Sequence, residues 1–275
     1  MNNFLTRTLT GTLFVVLMAG GILWNIWTFI GLFSLIALLG LWEFYSLIEQ
    51  KEKGTQKIPG LMLGLILIAA SGGKYFIQTH SFSAAAMQIL MLLFPLFLLF
   101  KLFSKTFSFQ GISPTLFGIL YIILPFCYLI LSYSSVGWYN SENNSRIIFG
   151  FFVLIWSNDT FAYLVGISLG KTKLFERISP KKTWEGTIGG LVCAQGIAFA
   201  LSIYFTELTP LHWHIVALIV SVFGTLGDLV ESMFKRSLGV KNSGNILPGH
   251  GGILDRFDGA LLAAPFVVAY LMMVC

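Results

Sequence analysis

The sequence predicts an all-α fold, a polytopic transmembrane helix bundle of about nine spans. Of its 275 residues, 56% are hydrophobic and 11% are charged, whereas soluble domains carry roughly 25% charged residues. Apolar runs of about 20 residues recur along the whole chain, and each can cross a hydrocarbon core of about 30 Å as a helix. Because a barrel would need alternating apolar and polar positions, the continuous runs favour helices.

The apolar runs divide into nine predicted spans. The dipeptides Gly20-Gly21 and Trp24-Asn25 indicate a tight reversal between the first two spans, and one long bent helix is the alternative. Because a second apolar segment follows at once, the N-terminal stretch is not interpreted as a signal peptide. The predicted spans are about 9–24, 25–48, 59–78, 84–103, 113–133, 147–168, 186–205, 211–233 and 257–274.

The distribution of the cations predicts the orientation of these spans. With nine spans, fifteen of the seventeen lysines and arginines lie on one side of the membrane, and Lys74 and Arg146 lie on the other. This asymmetry fits the positive-inside rule with a cytoplasmic N-terminus. The net charge of +5 then belongs to the cytoplasmic face. We expect a multi-pass protein of a bacterial inner (cytoplasmic) membrane, with no nucleic-acid partner.

Polar residues divide the chain into two regions. The spans of residues 1–145 carry few polar groups, which is typical of a transmembrane scaffold. Residues 146–275 carry nearly all of the polar groups that lie inside spans, together with two polar loops at 169–185 and 234–257. The sequence therefore predicts that the C-terminal region is catalytic and that both loops are cytoplasmic.

Acidic side chains within apolar spans are candidate functional residues. A carboxylate at the centre of a membrane helix costs roughly 2.5–3.5 kcal/mol, so it requires a partner or a function. Asp159 lies within the sixth span, and Asp228 lies one turn deeper than Glu231 in the eighth. The spacing of Glu231 and Lys235 is equally typical of a structural ion pair.

Two further aspartates, Asp255 and Asp258, begin the ninth span. At a helix N-terminus they would complement the helix dipole. Because the eighth and ninth spans run antiparallel, Asp228 and Asp255 should also reach similar depth on neighbouring helices. When Mg²⁺ binds together with a nucleotide, its protein ligands are usually carboxylates that converge beside the phosphates. Cations that bind those phosphates lie nearby. The sequence therefore predicts a Mg²⁺ site between these two spans.

The first polar loop contains a candidate phosphate-binding element. Ser179-Pro180 is typical of an N-cap followed by proline at the first helical position. This pattern predicts Lys181, Lys182 and Thr183 in the first turn of a helix. Two lysines there oppose the helix dipole unless an anion binds the unpaired backbone amides. Lysines that extend to the membrane interface are the alternative interpretation.

The second polar loop is rich in glycine, which allows the backbone to approach a phosphate closely. Neither loop is a Walker A motif or a dinucleotide fingerprint, which excludes the soluble nucleotide-binding folds. His250 is interpreted as a ligand of the substrate, with proton donation and a structural hydrogen bond as alternatives. The loop glycines are Gly244, Gly249, Gly251 and Gly252.

The two loops and their flanking helices carry long motifs. They are Asp159-x-x-Ala-Tyr163, Ser179-Pro-Lys-Lys-Thr-Trp-Glu-Gly186, Ser232-x-Phe-Lys-Arg236, Lys241, Gly244, Leu247-Pro248 and His250-Gly-Gly-Ile-x-Asp-Arg-Phe-Asp258. Together they resemble the signature of the phosphatidate cytidylyltransferases, also called CDP-diglyceride synthases. The resemblance is strong over residues 146–260 and extends to the N-terminal half by hydropathy alone. The family usually has aspartate where this chain has Asn242, so no catalytic role is carried over to that position.

The resemblance implies a reaction and a set of roles. CTP and phosphatidic acid would give CDP-diacylglycerol and pyrophosphate in phospholipid biosynthesis, with Mg²⁺ as cofactor and a homodimer as the assembly. The expected metal ligands are Asp228, Asp255 and Asp258. Asp159, which would orient a cation or a metal-bound water, and Lys241 complete the expected catalytic set. The expected substrate-binding residues are Lys181, Lys182, Lys235, Arg236, His250 and Arg256.

Two other functions share parts of this pattern. A CTP-dependent polyisoprenol or lipid kinase would use similar metal and CTP sites but would transfer the γ-phosphate. A cation-coupled membrane transporter would account for the acids at 159 and 228, although not for a basic, glycine-rich loop on one face. The paired halves typical of inverted repeats are not visible in the sequence.

Overall fold

The computed structural model describes residues 3–51, 56–73, 109–133, 144–244, 246 and 251–274. Within these ranges the chain is mostly helical. The predicted fourth span at 84–103 and the predicted ligand His250 lie outside the described residues.

The described helices of the N-terminal region overlap the first, second, third and fifth predicted spans, although the first begins six residues earlier than predicted. The first two are separate helices, as the reversal at residues 20–25 predicts. The helices are α1 (Asn3–Leu23), α2 (Ile26–Glu49), α3 (Lys57–Gly73), α4 (Phe109–Gly118), a π-helical segment (Ile119–Ile123) and α5 (Leu124–Ser132).

The C-terminal region contains four long helices and one short hairpin. All four helices extend one to four residues beyond the predicted spans at one end or both. The elements are α6 (Ser145–Leu169), β1 (Lys173–Phe175), β2 (Ser179–Thr183), α7 (Trp184–Tyr204), α8 (Pro210–Ser237) and α9 (Leu254–Val274).

Six helices of the described chain are long and apolar enough to cross a membrane. Two shorter apolar helices, Thr8–Leu23 and Lys57–Gly73, accompany them. The chain is therefore a multi-pass membrane protein, as composition predicts. The six are α2, the continuous helix at Ser113–Ser132, α6, α7, α8 and α9.

The reversal between α1 and α2 is stabilised by a reciprocal cap. The Asn25 side chain accepts hydrogen bonds from the backbone amides of Trp27 and Thr28, both at 2.9 Å. The Thr28 hydroxyl in turn accepts one from the Asn25 amide at 3.2 Å. This capping box satisfies amides that a helix start leaves unpaired, so α2 begins at a defined residue.

The predicted helix start at Ser179-Pro180 is wrong, because this segment is the strand β2. It pairs antiparallel with β1, with Lys173 opposite Thr183. The N-cap is Thr183, whose hydroxyl accepts a hydrogen bond from the Gly186 amide at 3.2 Å. Proline fixes a φ that suits the edge of a strand as well as a first helical turn, so the local sequence did not distinguish the two.

Helices α6 and α7 approach each other closely at small residues. A Cβ atom on Gly190 of α7 would lie 2.7 Å from the Asn158 backbone oxygen and 2.9 Å from the Ala162 Cβ. The missing side chain therefore sets the distance between the two helices, as small residues do in membrane bundles.

Gly190→Ala should lower the melting temperature of the purified protein in detergent. The added methyl group meets backbone on α6, and overpacking of this kind costs about 1–3 kcal/mol. Gly196→Ala is the matched control on the same helix, because its Cβ would meet no atom within 4 Å. We expect the control to unfold at the wild-type temperature or slightly above it. Equal melting temperatures for both variants would contradict the close packing.

Candidate active site

A cavity of about 560 Å³ opens at the end of the bundle where α6 ends, α7 begins, α8 ends and α9 begins. Its polar lining combines four carboxylates with three lysines. Six of these seven side chains are predicted site residues, so the fold brings them together from three helices and the hairpin. The seven are Asp159, Asp228, Asp255, Asp258, Lys173, Lys181 and Lys182.

Asp228 pairs with a cation from the hairpin. The Lys182 ammonium forms an ion pair with the Asp228 carboxylate, and the Ser232 hydroxyl donates a second hydrogen bond to it at 3.1 Å. The side chains of Lys182 and Asp228 are 25% and 33% exposed, respectively. The pair therefore remains accessible from the cavity, and an incoming anion could compete for the lysine.

Asp255 connects α8, α9 and the glycine-rich loop. Its carboxylate accepts hydrogen bonds from the Lys235 ammonium at 2.6 Å, the Ser243 amide at 3.1 Å and the Gly252 amide at 2.9 Å. Lys235 also binds the buried Glu231 carboxylate at 2.7 Å. The structural ion pair that the spacing of Glu231 and Lys235 suggests is thus observed. Lys235 binds two acids, Glu231 and Asp255, at the base of the loop.

Glycine at position 251 is required by this arrangement. Its φ of 86° lies in the left-handed region that favours glycine. A Cβ atom there would also lie 2.6 Å from an Asp255 carboxylate oxygen. The backbone at position 251 therefore approaches the Asp255 carboxylate to a distance that only glycine allows.

Glu43 of α2 reaches the same loop from the N-terminal region. The side chain is 4% exposed. Its Oε2 accepts hydrogen bonds from the Leu254 amide at 3.1 Å and the Ser243 hydroxyl at 3.3 Å. A Cβ atom on Gly252 would lie 2.6 Å from both Glu43 carboxylate oxygens. Two adjoining parts of the loop, at 243 and 252–254, are thus fixed by one buried carboxylate.

The remaining carboxylates form a cluster of like charge. Asp258 is repelled by Asp228, Glu231 and Asp159, and its one described hydrogen bond comes from the Gly259 amide at 2.7 Å. Such hard oxygen donors fit a divalent cation. Among the described residues, no three His, Cys, Asp or Glu side chains stand close enough together to hold an ion by themselves.

Other predicted site residues lie outside this cavity. Arg236 is exposed and donates a hydrogen bond to the Val240 carbonyl at 3.3 Å. Lys241 is also exposed. Arg256 lines a second, smaller cavity that shares Asp159, Asp255 and Asp258 with the first.

A family model described as the cytidylyltransferase family matches residues 5–274. The chain belongs to this family. It is 36% identical over 272 residues to a phosphatidate cytidylyltransferase of Staphylococcus saprophyticus, covering 95% of this chain and 96% of the relative. It is 35% identical over 267 residues to that of Staphylococcus haemolyticus, with the same coverage. It is 38% identical over 238 residues to that of Bacillus subtilis, covering 85% of this chain and 86% of the relative.

Two contributions to the cytidylyltransferase site were missed in the sequence. Glu43 is an acid inside an apolar span, the same signal that identified Asp159, but its span was interpreted as scaffold. Glu185 accepts hydrogen bonds from the Lys171 and Thr172 amides, both at 3.1 Å, and so fixes the start of the hairpin. The motif that contains Glu185 was recognised, but not this local role.

Asp255→Asn should reduce turnover by roughly 100-fold or more, because misplacing groups beside a reacting centre by about 1 Å can cost that much. The amide is neutral, and its nitrogen cannot accept the hydrogen bonds that the carboxylate receives. The measurement is kcat of the purified variant in mixed lipid micelles. Detergent-extracted yield and monodispersity serve as controls for membrane insertion. Wild-type turnover would remove Asp255 from the active site.

Glu43→Ala should lower both stability and turnover. Two buried donors lose their acceptor, and each unsatisfied buried group costs about 1–3 kcal/mol. Glu49→Ala is the matched control on α2, because Glu49 is exposed and surface substitutions usually change stability by less than about 0.5 kcal/mol. Melting temperature and kcat are measured together. A Glu43 variant that behaves like the control would show that the loop is held by Asp255 alone.

Proposed function

We propose that this protein transfers the cytidylyl group of CTP to phosphatidic acid, forming CDP-diacylglycerol and pyrophosphate. The observation that carries the proposal is the cavity in which four carboxylates and three lysines converge between membrane helices. Relatives named phosphatidate cytidylyltransferase match nearly the whole chain, which supports the same activity.

The lysines suit the phosphates of a nucleotide. Lys173, Lys181 and Lys182 line one side of the cavity and come from both strands of the hairpin. A volume of about 560 Å³ lies within the range of roughly 300–1,000 Å³ typical of small-molecule sites. Charge-assisted hydrogen bonds to these ammonium groups would hold the triphosphate and release Asp228 from its pair with Lys182.

The acids suit Mg²⁺. The ion usually binds one or two protein carboxylates and takes its other ligands from water and substrate phosphates. Asp228 and Asp258 repel each other across the cavity, and a shared cation would remove that repulsion. Asp255, the third predicted ligand, is engaged by Lys235 and two amides, so we assign it the positioning of the loop beside the metal. When bound, Mg²⁺ would stabilise negative charge on the α-phosphate.

The chemistry requires little of the protein beyond positioning. The phosphate monoester of phosphatidic acid is ionised at neutral pH, so no strong base is needed to activate it. One of its oxygens forms the new bond to the α-phosphorus of CTP. The bond between that phosphorus and the oxygen that bridges it to the β-phosphate breaks, and pyrophosphate leaves. The lysines would offset the charge on both polyanions as they approach.

The membrane arrangement is part of the proposal. Nine spans with a cytoplasmic N-terminus are supported by the cation asymmetry in the sequence. The cavity would then face the cytoplasm, where CTP is made, from the cytoplasmic membrane of a bacterium. The family resemblance further supports a homodimer. The kinase and transporter alternatives are not favoured by the relatives.

Label transfer from CTP tests the reaction directly. Purified protein in micelles containing phosphatidic acid should move ³²P from α-labelled CTP into lipid and none from γ-labelled CTP. Label from the γ position would establish the kinase alternative. Transfer from neither position would favour the transporter and overturn the proposal.

Removal of divalent cations should abolish this transfer, because the carboxylate cluster would then repel the phosphates. Excess EDTA is expected to stop label transfer, and excess Mg²⁺ should restore it. Asp258→Asn is expected to raise the Mg²⁺ concentration needed for half-maximal rate. Full activity in EDTA would contradict the metal assignment without affecting the identity of the reaction.

A further inference from the structure

The segment that joins α6 to α7, residues 170–183, lies at one surface of the membrane. Both helices are long and apolar enough to span the bilayer. They have 25 and 21 residues, and at about 1.5 Å per residue each can cross a hydrocarbon core of about 30 Å. The segment, which contains the β1–β2 hairpin, therefore emerges where the two spans leave the hydrocarbon.

This segment is strongly basic. It contains five cations and one acid, Glu176. Three of its lysines line the active-site cavity, whereas Lys171 and Arg177 are exposed and are not among the residues that line it. The segment thus presents cations to its surroundings as well as to the cavity. The five cations are Lys171, Lys173, Arg177, Lys181 and Lys182.

Exposed apolar side chains beside the segment are arranged in the order of membrane depth. Ile167 and Ile188, which lie on the two helices, are 68% and 58% exposed. Phe175 in the hairpin and Trp184 at the start of α7 are 45% and 51% exposed. Aliphatic residues on the helices, then aromatic residues, then cations match the sequence of hydrocarbon, interface and headgroups in a bilayer.

The hairpin is fixed at its base. The Glu185 carboxylate accepts two amides there, and the Trp184 amide donates a hydrogen bond to the Thr172 carbonyl at 3.0 Å. The pairing becomes irregular between Lys173 and Phe175, and the sheet has two strands. A two-stranded hairpin is marginally stable in water, so a further surface against the tip at 175–178 would stabilise it.

We infer that this tip docks on anionic phospholipid headgroups of the surrounding bilayer. Phe175 inserts among the headgroups, and Lys171 and Arg177 bind their phosphates. An anionic membrane surface attracts juxtamembrane cations over about a Debye length, and an aromatic ring is favoured at the interface. The partner is thus a lipid surface, recognised by its charge rather than by a single headgroup structure.

Docking of the tip acts on the active-site cavity through the same two strands. Phe175 lies two residues beyond Lys173 on β1, and Lys181 and Lys182 belong to β2. A docked hairpin holds these three ammonium groups at the cavity before a nucleotide arrives, which lowers the entropy lost on binding. This consequence for turnover rests on the proposed function, whereas the docking itself does not.

Hydrogen exchange of the hairpin amides tests the docking without either substrate. The purified protein is placed in nanodiscs of phosphatidylcholine, or of an equal mixture with phosphatidylglycerol, whose phosphodiester cannot act as the nucleophile. Amides of 173–183 should exchange roughly fivefold or more slowly in the mixed discs, about the factor that one cation contributes at an anionic surface. High salt should remove the difference. The loop at 205–209, which contains no lysine or arginine, should exchange equally in both discs.

Charge variants of the tip should change this response in opposite directions. The double variant Lys171→Gln/Arg177→Gln removes two exposed cations and should lose the protection. Glu176→Gln removes the acid beside Arg177 and should increase it. Arg146→Gln is the matched control, because it removes one cation at the opposite end of α6. It should respond to phosphatidylglycerol as the wild type does.

Turnover in the same discs tests the effect on the cavity. At fixed mole fractions of phosphatidate and a fixed Mg²⁺ concentration, phosphatidylglycerol should raise the wild-type kcat/KM for CTP about fivefold. The double variant should show a rise of less than about twofold. A double variant stimulated as strongly as the wild type would refute the role of these cations.

The outcomes separate the docking from the reaction. Equal exchange of the hairpin amides in both kinds of disc would overturn the docking. Slower exchange without a change in kcat/KM for CTP would overturn its effect on the cavity lysines. If the double variant does not fold, Glu176→Gln decides, because its expected change has the opposite sign. A protein that failed the label-transfer test but showed slower exchange would refute the proposed function and support the docking.

Discussion

The carboxylate of Asp255 is the interaction on which the site depends. It binds the ammonium of Lys235 and receives amides from both sides of the glycine-rich loop. A buried charge with a charged partner and several donors is strongly stabilising only while every partner is present, because any one left alone is desolvated without compensation. Ser243, Gly252, the end of α8 and the start of α9 are therefore held as one unit, and the other acids of the cavity wall are positioned relative to it.

The two lysine–aspartate pairs of the site have different roles, which follow from their exposure. Lys235 is 12% exposed and binds two acids, so it stays in place whatever the cavity contains. Lys182 is 25% exposed and belongs to a short hairpin rather than to a long helix. It can exchange a carboxylate for a phosphate at little cost in desolvation. One pair thus maintains the architecture, and the other is available to a ligand.

The sequence predicted the helical spans well, because a run of about 20 apolar residues has few alternatives in a membrane. It also predicted that Asp228 and Asp255 reach similar depth on antiparallel helices, and both line the cavity together with Asp159 and Asp258. The sequence prediction of a helix start failed at Ser179-Pro180, because the proline φ suits the edge of a strand as well as the first turn of a helix. Glu43 was missed because its partners, the Ser243 hydroxyl and the Leu254 amide, lie 200 and 211 residues away, and no local pattern identifies a partner at that distance.

The distance along the chain between Glu43 and its partners has a consequence for biogenesis. Leu254, whose amide it binds, is synthesised 211 residues later. During translation α2 enters the bilayer with an acid whose donors do not yet exist, and the cost of that charge is removed only when α9 is inserted. The insertion of α9 therefore completes the early part of the bundle as well as the active site. A nascent chain arrested before α9 would expose an uncompensated acid, a feature that membrane quality control could recognise.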